Sequence, residues 1–289
     1  MTTLPLNDIP PKKVYWLPSD KEERRRLNRQ HRLVLSGSGG RHIHAPIDTN
    51  SIDSVLEAGT GSGIWLEEVA QQLPEKVELI GIDLSTNLFP QSPAPNVSFR
   101  KQSLLDLPRE WANKFDLIHQ RLLVAGLRNE EWHAALSQYY RALKPGGWVQ
   151  LYEIFSWEGC GPALEKMNQM VVQLYESRGI RGTWGSDGTI FKRYAEAAGF
   201  TDIRVTWAGW LAGKWAGEEG QVGAENLVEF IKACKTPILK AGGFGMVTDS
   251  EEFDGILQEV EKELDTRSGT WHRCVIVCGR KPLQVQSRL

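Results

Sequence analysis

Val55-Leu56-Glu57-Ala58-Gly59-Thr60-Gly61-Ser62-Gly63-Ile64-Trp65 is the stretch that decides how this chain folds. A short apolar run leads into it and a helical pattern, Ile64 to Leu73, leads out, so it reads as a strand–turn–helix joint. Glycines at 59, 61 and 63 let the backbone turn sharply and approach a ligand with no Cβ in the way. Such a joint alone serves several kinds of nucleotide. Two details narrow the choice. Glu57 precedes the glycines, where a carboxylate can meet an amino group, and the Lys-Ser/Thr ending of a phosphate loop is missing. The joint therefore suits a nucleoside carrying an amino acid better than a pyrophosphate. A dinucleotide loop would also space its last glycine differently, as Gly-x-Gly-x-x-Gly.

Working outward, Val77 to Asp83 reads as a second strand, too densely apolar to be exposed on one face. Asp83 ends it, close to the roughly 20-residue spacing at which a carboxylate accepts ribose hydroxyls in nucleotide-binding units. Further strands are expected at Asn96 to Lys101, Phe115 to His119 and Trp148 to Ile154. A helix from Trp132 to Leu143 is stopped by Lys144-Pro145-Gly146-Gly147. Strand–helix alternation of this kind predicts a parallel sheet with helices on both faces. Beyond it come helices Pro162–Ser177, Thr189–Ala198, Ala224–Ala233 and Ser250–Asp265, and strands Thr201–Trp207 and Trp271–Gly279. Upstream, Ser19 and Asp20 precede Glu22 and Glu23 in capping-box register. A helix striped by Leu27, His31, Val34 and Leu35 then runs to Gly37-Ser38-Gly39-Gly40. Residues 1–45 read as an arm and helix, and 46–289 as a single globular unit.

The quoted joint, Gly81-Ile82-Asp83-Leu84-Ser85, Phe115-Asp116-Leu117-Ile118-His119-Gln120-Arg121 and Leu143-Lys144-Pro145-Gly146-Gly147-Trp148 together resemble the class I S-adenosylmethionine-dependent methyltransferases. More narrowly they resemble the fungal LaeA-type and secondary-metabolite enzymes, whose leading helix is echoed by Arg26-Leu27 and Gln30-His31. The resemblance implies a Rossmann-like α/β fold: a seven-stranded sheet with the last strand antiparallel, under an N-terminal helical lid. It implies S-adenosylmethionine as cofactor, S-adenosylhomocysteine as product, and transfer of a methyl group to O, N or S of a small molecule. Glu57, Gly59 and Gly61 would hold the methionine part and Asp83 the ribose, with Thr60, Gly63 and Leu84 in the same site. Where relatives place an acidic residue near adenine, this chain has Gln102 and Ser103. The resemblance covers about residues 20–155. A LaeA-type regulator, or an enzyme using the sulfonium without methylating, would carry the same cofactor residues.

Methyl transfer needs above all a well-placed nucleophile, and a base only where a proton must be lost. His119, at the end of the fourth strand, is a candidate base or cofactor contact. Glu153 and Tyr152 end the fifth strand, and since neighbours on a strand face opposite ways, one of them is expected to reach the acceptor. His31, Trp157 and Trp184 are the remaining candidate substrate contacts, the two tryptophans as loop residues walling an apolar acceptor.

A net charge of −2 argues against a dedicated nucleic-acid partner. The basic run Arg24-Arg25-Arg26, Arg29 and Arg32 reads as a solvated helix face. No apolar run is long enough for a bilayer, so no membrane partner is expected, and the four widely spaced cysteines predict neither a disulfide nor a metal site. A polar, proline-bearing start without an apolar core predicts a cytoplasmic protein. Ser287-Arg288-Leu289 is a conservative variant of a peroxisomal address, a pattern short enough to arise by chance.

Overall fold

Alternation along the strands sorts the core onto the two sides of one sheet. Leu56, Ile80, Ile118 and Val149 face one apolar cluster, while their neighbours Val55, Leu79, Leu117 and Trp148 face the other. The computed structural model describes residues 20–180 and 188–283. Its strands are β1 (Ser54–Ala58), β2 (Glu78–Asp83), β3 (Val97–Lys101), β4 (Phe115–Arg121), β5 (Leu143–Glu158), β6 (Thr201–Leu211) and β7 (Trp271–Arg280). They form one seven-stranded sheet in the order β3-β2-β1-β4-β5-β7-β6. The first five strands pair in parallel, and β7 runs antiparallel to both β5 and β6. The order reverses between β1 and β4, which opens a crevice at the carboxyl ends of the strands, where ligands bind in open α/β sheets.

The helices are α1 (Lys21–Ser36), α2 (Ile64–Ala70), α3 (Asn129–Ala142), α4 (Pro162–Ser177), α5 (Thr189–Ala197), α6 (Gly217–Lys240) and α7 (Ser250–Thr266). Asp20 caps α1 by accepting from the backbone N–H groups of Glu22 and Glu23. Residues of α1 and α2 pack on one face of the sheet, and those of α3, α4, α5 and α7 on the other.

Three elements outrun their sequence expectation. β5 extends to Glu158 because β7 pairs with it that far, Glu158 opposite Trp271. Trp157, expected in a loop, is therefore a strand residue. β6 continues to Leu211 on the same partner. Helix α6 begins at Gly217 and runs through Pro237, where glycines and a proline argue for a break. A Cβ on Gly220 would stand 2.3 Å from the Gly213 carbonyl oxygen, and one on Gly223 2.1 Å from that of Leu211. Those glycines let the helix lie directly on backbone, and packing overrides propensity. The basic run of α1 is also not a uniformly solvated face. Arg26 is buried in a two-pronged pair with Glu23, and Arg29 reaches Glu225 and Glu229 of α6. Arg25 and Arg32 alone of this run are exposed. No described helix is long and apolar enough to cross a membrane.

Candidate active site

The crevice holds a cavity of 790 Å³ with two unlike walls and a roof. One wall is the glycine joint, continued by the ends of β2 and β3. Gly59, Gly61 and Gly63 all take positive φ, at 70°, 54° and 76°, a conformation that side chains with a Cβ rarely adopt. Asp83 stands over this loop: one carboxylate oxygen accepts from the Gly61 N–H and the other from the Ser85 N–H, both at 3.0 Å. Leu84, next along the wall, is 67% exposed although large and apolar. Gln102 and Ser103 follow, Gln102 donating to the carbonyls of Ser103 and Asp106.

Glu57 lies buried under the joint. One of its oxygens accepts from the Thr60 hydroxyl, while the other is buried with no partner among the described residues. Burial raises its pKa to about 7 against the opposing pull of Arg121. An unpartnered buried carboxylate oxygen beneath a glycine loop fits a cationic amino group, which would restore its charge. Glycine backbone, Asp83 and the bare Leu84 surface fit the methionine, ribose and adenine of S-adenosylmethionine in turn.

The roof is α1. Leu27, Gln30 and His31 look down into the cavity, and Ser62 of the joint donates to Asn28. His31 is held on both ring nitrogens. Arg121 at the end of β4 donates to Nδ1 at 2.7 Å, and Nε2 donates to Glu68 of α2 at 2.8 Å. His42 donates to the same Glu68 oxygen at 2.8 Å and accepts from Gln72. His31, His42 and Glu68 are close enough to share a cation, but a guanidinium can only donate. The proton of His31 must then sit on Nε2, the atom a metal would need, so this is a hydrogen-bond network that ties roof to sheet. Burial first, and Arg121 second, lower His31 to about 4. Burial works against the charge of Glu68, but the two imidazole hydrogen bonds outweigh it and lower its pKa.

The second wall carries Ile154, Trp157, Tyr175, Asn226, Phe230 and His272. Trp157, His272 and Trp210 lie in register on β5, β7 and β6, so they share one face of the sheet. The His272 ring stacks on Trp210 with centroids 4.9 Å apart.

Of the sequence candidates, Gly59, Thr60, Gly61, Asp83, Leu84, Gln102, Ser103, His31 and Trp157 meet around this cavity. Gly63 starts α2 just behind it. His119 does not reach it. Its ring stacks on Trp65 at 3.9 Å, and its Nδ1 accepts from Gln150, on the far side of β4. Burial above all, then Arg121, drives its pKa well down. Neither Tyr152 nor Glu153 lines the cavity. The Tyr152 hydroxyl is buried beside Cys274. Glu153 accepts from Gln120 and from the Leu123 and Val124 N–H groups. It thereby pins the loop after β4, which does line the cavity, and burial raises it to about 7. Trp184 and Ser287-Arg288-Leu289 lie outside the described residues. Sequence reading missed Arg121, Asn226, Phe230 and His272. The one signal available was polar: Asn226 sits a turn before Phe230 on an otherwise apolar helix stripe.

Known proteins agree with this geometry. Residues 55–147 match the family model described as a methyltransferase domain. The chain is 31% identical to the N-methyltransferase gliN of Aspergillus fumigatus, over 98% of this chain and 100% of that protein. It is 32% identical to the N-methyltransferase sirN of Leptosphaeria maculans, over 97% and 99%. A secondary metabolism regulator of Hypocrea atroviridis is 29% identical over 66% of this chain and 56% of its own. Among solved structures, a phosphoethanolamine N-methyltransferase of Haemonchus contortus with S-adenosylhomocysteine superposes with a TM-score of 0.51 at 18% identity, covering 88% of this chain and 52% of that one. The YcgJ protein of Bacillus subtilis does so at 0.50 and 16%, over 88% and 99%. These two likenesses concern the fold. Sheet order and end-to-end relatives together make this chain a class I S-adenosylmethionine-dependent methyltransferase, related to the fungal N-methyltransferases of secondary metabolism.

Proposed function

We propose that the chain methylates a nitrogen atom of a small specialised metabolite bound against the second wall of the cavity. The observation that carries this reading is the end-to-end similarity to two N-methyltransferases, gliN and sirN. When bound, S-adenosylmethionine supplies a methyl group already activated on sulfonium. In this reading Glu57 takes the amino group, the Gly59–Gly63 backbone and Thr60 the methionine part, Asp83 the ribose, and Leu84, Gln102 and Ser103 the adenine. Held by these residues, S-adenosylmethionine would give its methyl group to a nitrogen of the acceptor on the second wall and leave as S-adenosylhomocysteine, the proton from nitrogen being lost to solvent when the product leaves. The protein's work is to hold donor and acceptor in line under α1 and to exclude bulk water. The partner is a small molecule rather than nucleic acid or membrane, and the setting is cytoplasmic, or peroxisomal if the terminal Ser287-Arg288-Leu289 is read.

The test is incubation with S-adenosylmethionine and a panel of amines, amides, phenols and thiols, following S-adenosylhomocysteine by mass spectrometry and locating the new methyl by NMR. An N-methyl product, absent with Asp83→Ala, is expected. Methylation of oxygen or sulfur alone would overturn the nitrogen assignment. Cofactor binding without turnover would favour the regulatory role of the Hypocrea relative.

A further inference from the structure

The second wall has its own polar chemistry. His272 is 3% exposed and neither ring nitrogen has a partner among the described residues. Asn226 is 2% exposed and its side-chain amide nitrogen likewise has none among them. Buried polar groups are almost always paired, because leaving them so is costly. Two unpaired residues lining one cavity therefore mark where a ligand supplies the missing partners. Their surroundings are aromatic: Trp157 lies 5.9 Å from the His272 ring and 5.9 Å from the Phe230 ring. Phe230 follows Asn226 by one turn of α6, on the same helix face.

Among the described residues this wall is also free of charge. Burial drives His272 down to about 3, so at neutral pH it is an imidazole with one N–H and one lone pair. The carboxylates lining the cavity are Asp83, on the cofactor wall, and Glu131, which accepts from the Arg128 N–H. Glu153 of the neighbouring β5 has its oxygens taken by Gln120, Leu123 and Val124. A protonated amine placed here would lose its hydration and gain no counter-ion.

We infer that His272 and Asn226 are the polar contacts of the acceptor subsite, and that they select an uncharged, flat acceptor carrying a donor and an acceptor of hydrogen bonds over a protonated amine. The inference rests on the methyltransferase reading of the cavity and adds the chemical class of its occupant. The selection also serves reactivity, since a nitrogen that has lost its lone pair to a proton cannot attack a methyl carbon.

Three bicyclic probes of one shape separate the effects: isoindolinone, neutral with an N–H and a carbonyl; isoindoline, a cation at neutral pH; and indane, with no polar atom. They would be titrated calorimetrically into protein saturated with S-adenosylhomocysteine. The native protein should prefer isoindolinone to both others. His272→Phe and Asn226→Leu should each weaken isoindolinone about tenfold and leave indane unchanged. His272→Gln, which keeps a donor and an acceptor, should restore most of the loss, and Asn226→Asp should shift preference toward isoindoline. A merely structural role would weaken all three probes together. Equal affinity for isoindolinone and indane in the native protein, or an unchanged preference in His272→Phe and Asn226→Leu, overturns the inference. S-adenosylhomocysteine titrated alone keeps the two readings apart. Its affinity should be unchanged in the variants, and failure of the native chain to bind it would tell against the cofactor wall itself.

Discussion

Burial holds Glu57 at about 7, so at neutral pH its carboxyl is divided between acid and carboxylate. An ammonium beside it favours the carboxylate. Affinity for S-adenosylhomocysteine should therefore rise with pH up to about 7, approaching tenfold per unit below that value, and then level off. Glu57→Gln should flatten this profile in calorimetric titrations from pH 5.5 to 8. For folding the sign is opposite. A carboxyl raised in the folded state contributes stability that is fully present below its unfolded pKa of 4.5 and lost as pH rises through 7. Asp83 answers a different question, because both its oxygens already hold backbone N–H groups. Asp83→Ala should weaken cofactor binding about 10- to 100-fold by loss of charge-assisted hydrogen bonds. It should also loosen the glycine joint, visible as faster amide exchange at Gly61.

At the scale of elements, α1 is a roof held by polar ties as well as by Leu33 and Val34, which join the apolar cluster on its face of the sheet. Glu68 receives two imidazole N–H groups, and Arg29 spans to two glutamates of α6. Glu68→Ala leaves both imidazoles short of a partner. It should lower stability by about 1–3 kcal/mol in thermal melts and speed S-adenosylhomocysteine release in stopped-flow traces. Unchanged release would mean that α1 does not gate the cavity. Elements built from local signals were legible in the sequence: the strand–glycine–helix joint, the Asp20 cap, and β2 ending on Asp83. α6 was legible only in its middle, because Gly220 and Gly223 look like breakers until the backbone they touch is known. Trp157 was assigned to a loop for a similar reason, since the last residues of β5 are strand only by virtue of β7. His272 and Asn226 are each a single polar residue in an apolar run, and only the register of three strands and the placing of α6 bring them to one cavity.

The whole molecule carries a balance of buried titrating groups. His31 lies at about 4, His272 at about 3 and His119 well below 6.5, all lowered mainly by burial. Between pH 6.5 and 4.5 the unfolded chain protonates these three histidines, while the folded chain protonates Glu57 and Glu153, both raised to about 7. His44 is lowered by burial as well, so the histidine uptakes of the unfolded chain outnumber the two carboxyl uptakes of the folded chain, and stability should decline gently as pH falls across that window. Below 4.5 the unfolded glutamates are protonated too, the offset ends, and the lowered Glu68 adds to the loss. Melting temperatures measured in steps of pH should fall gently from 6.5 to about 4.5 and more steeply below it; a rise on acidification through that window would contradict these assignments. The cavity also has a seam in the chain itself. Its glycine-joint side and roof come from residues up to 131 and its second wall from residues 154 to 272, and the family-wide match ends at 147. On the proposed reading, substitutions in the later stretch would retool the substrate and leave the methyl donor's seat untouched, so that one scaffold could serve many different metabolites.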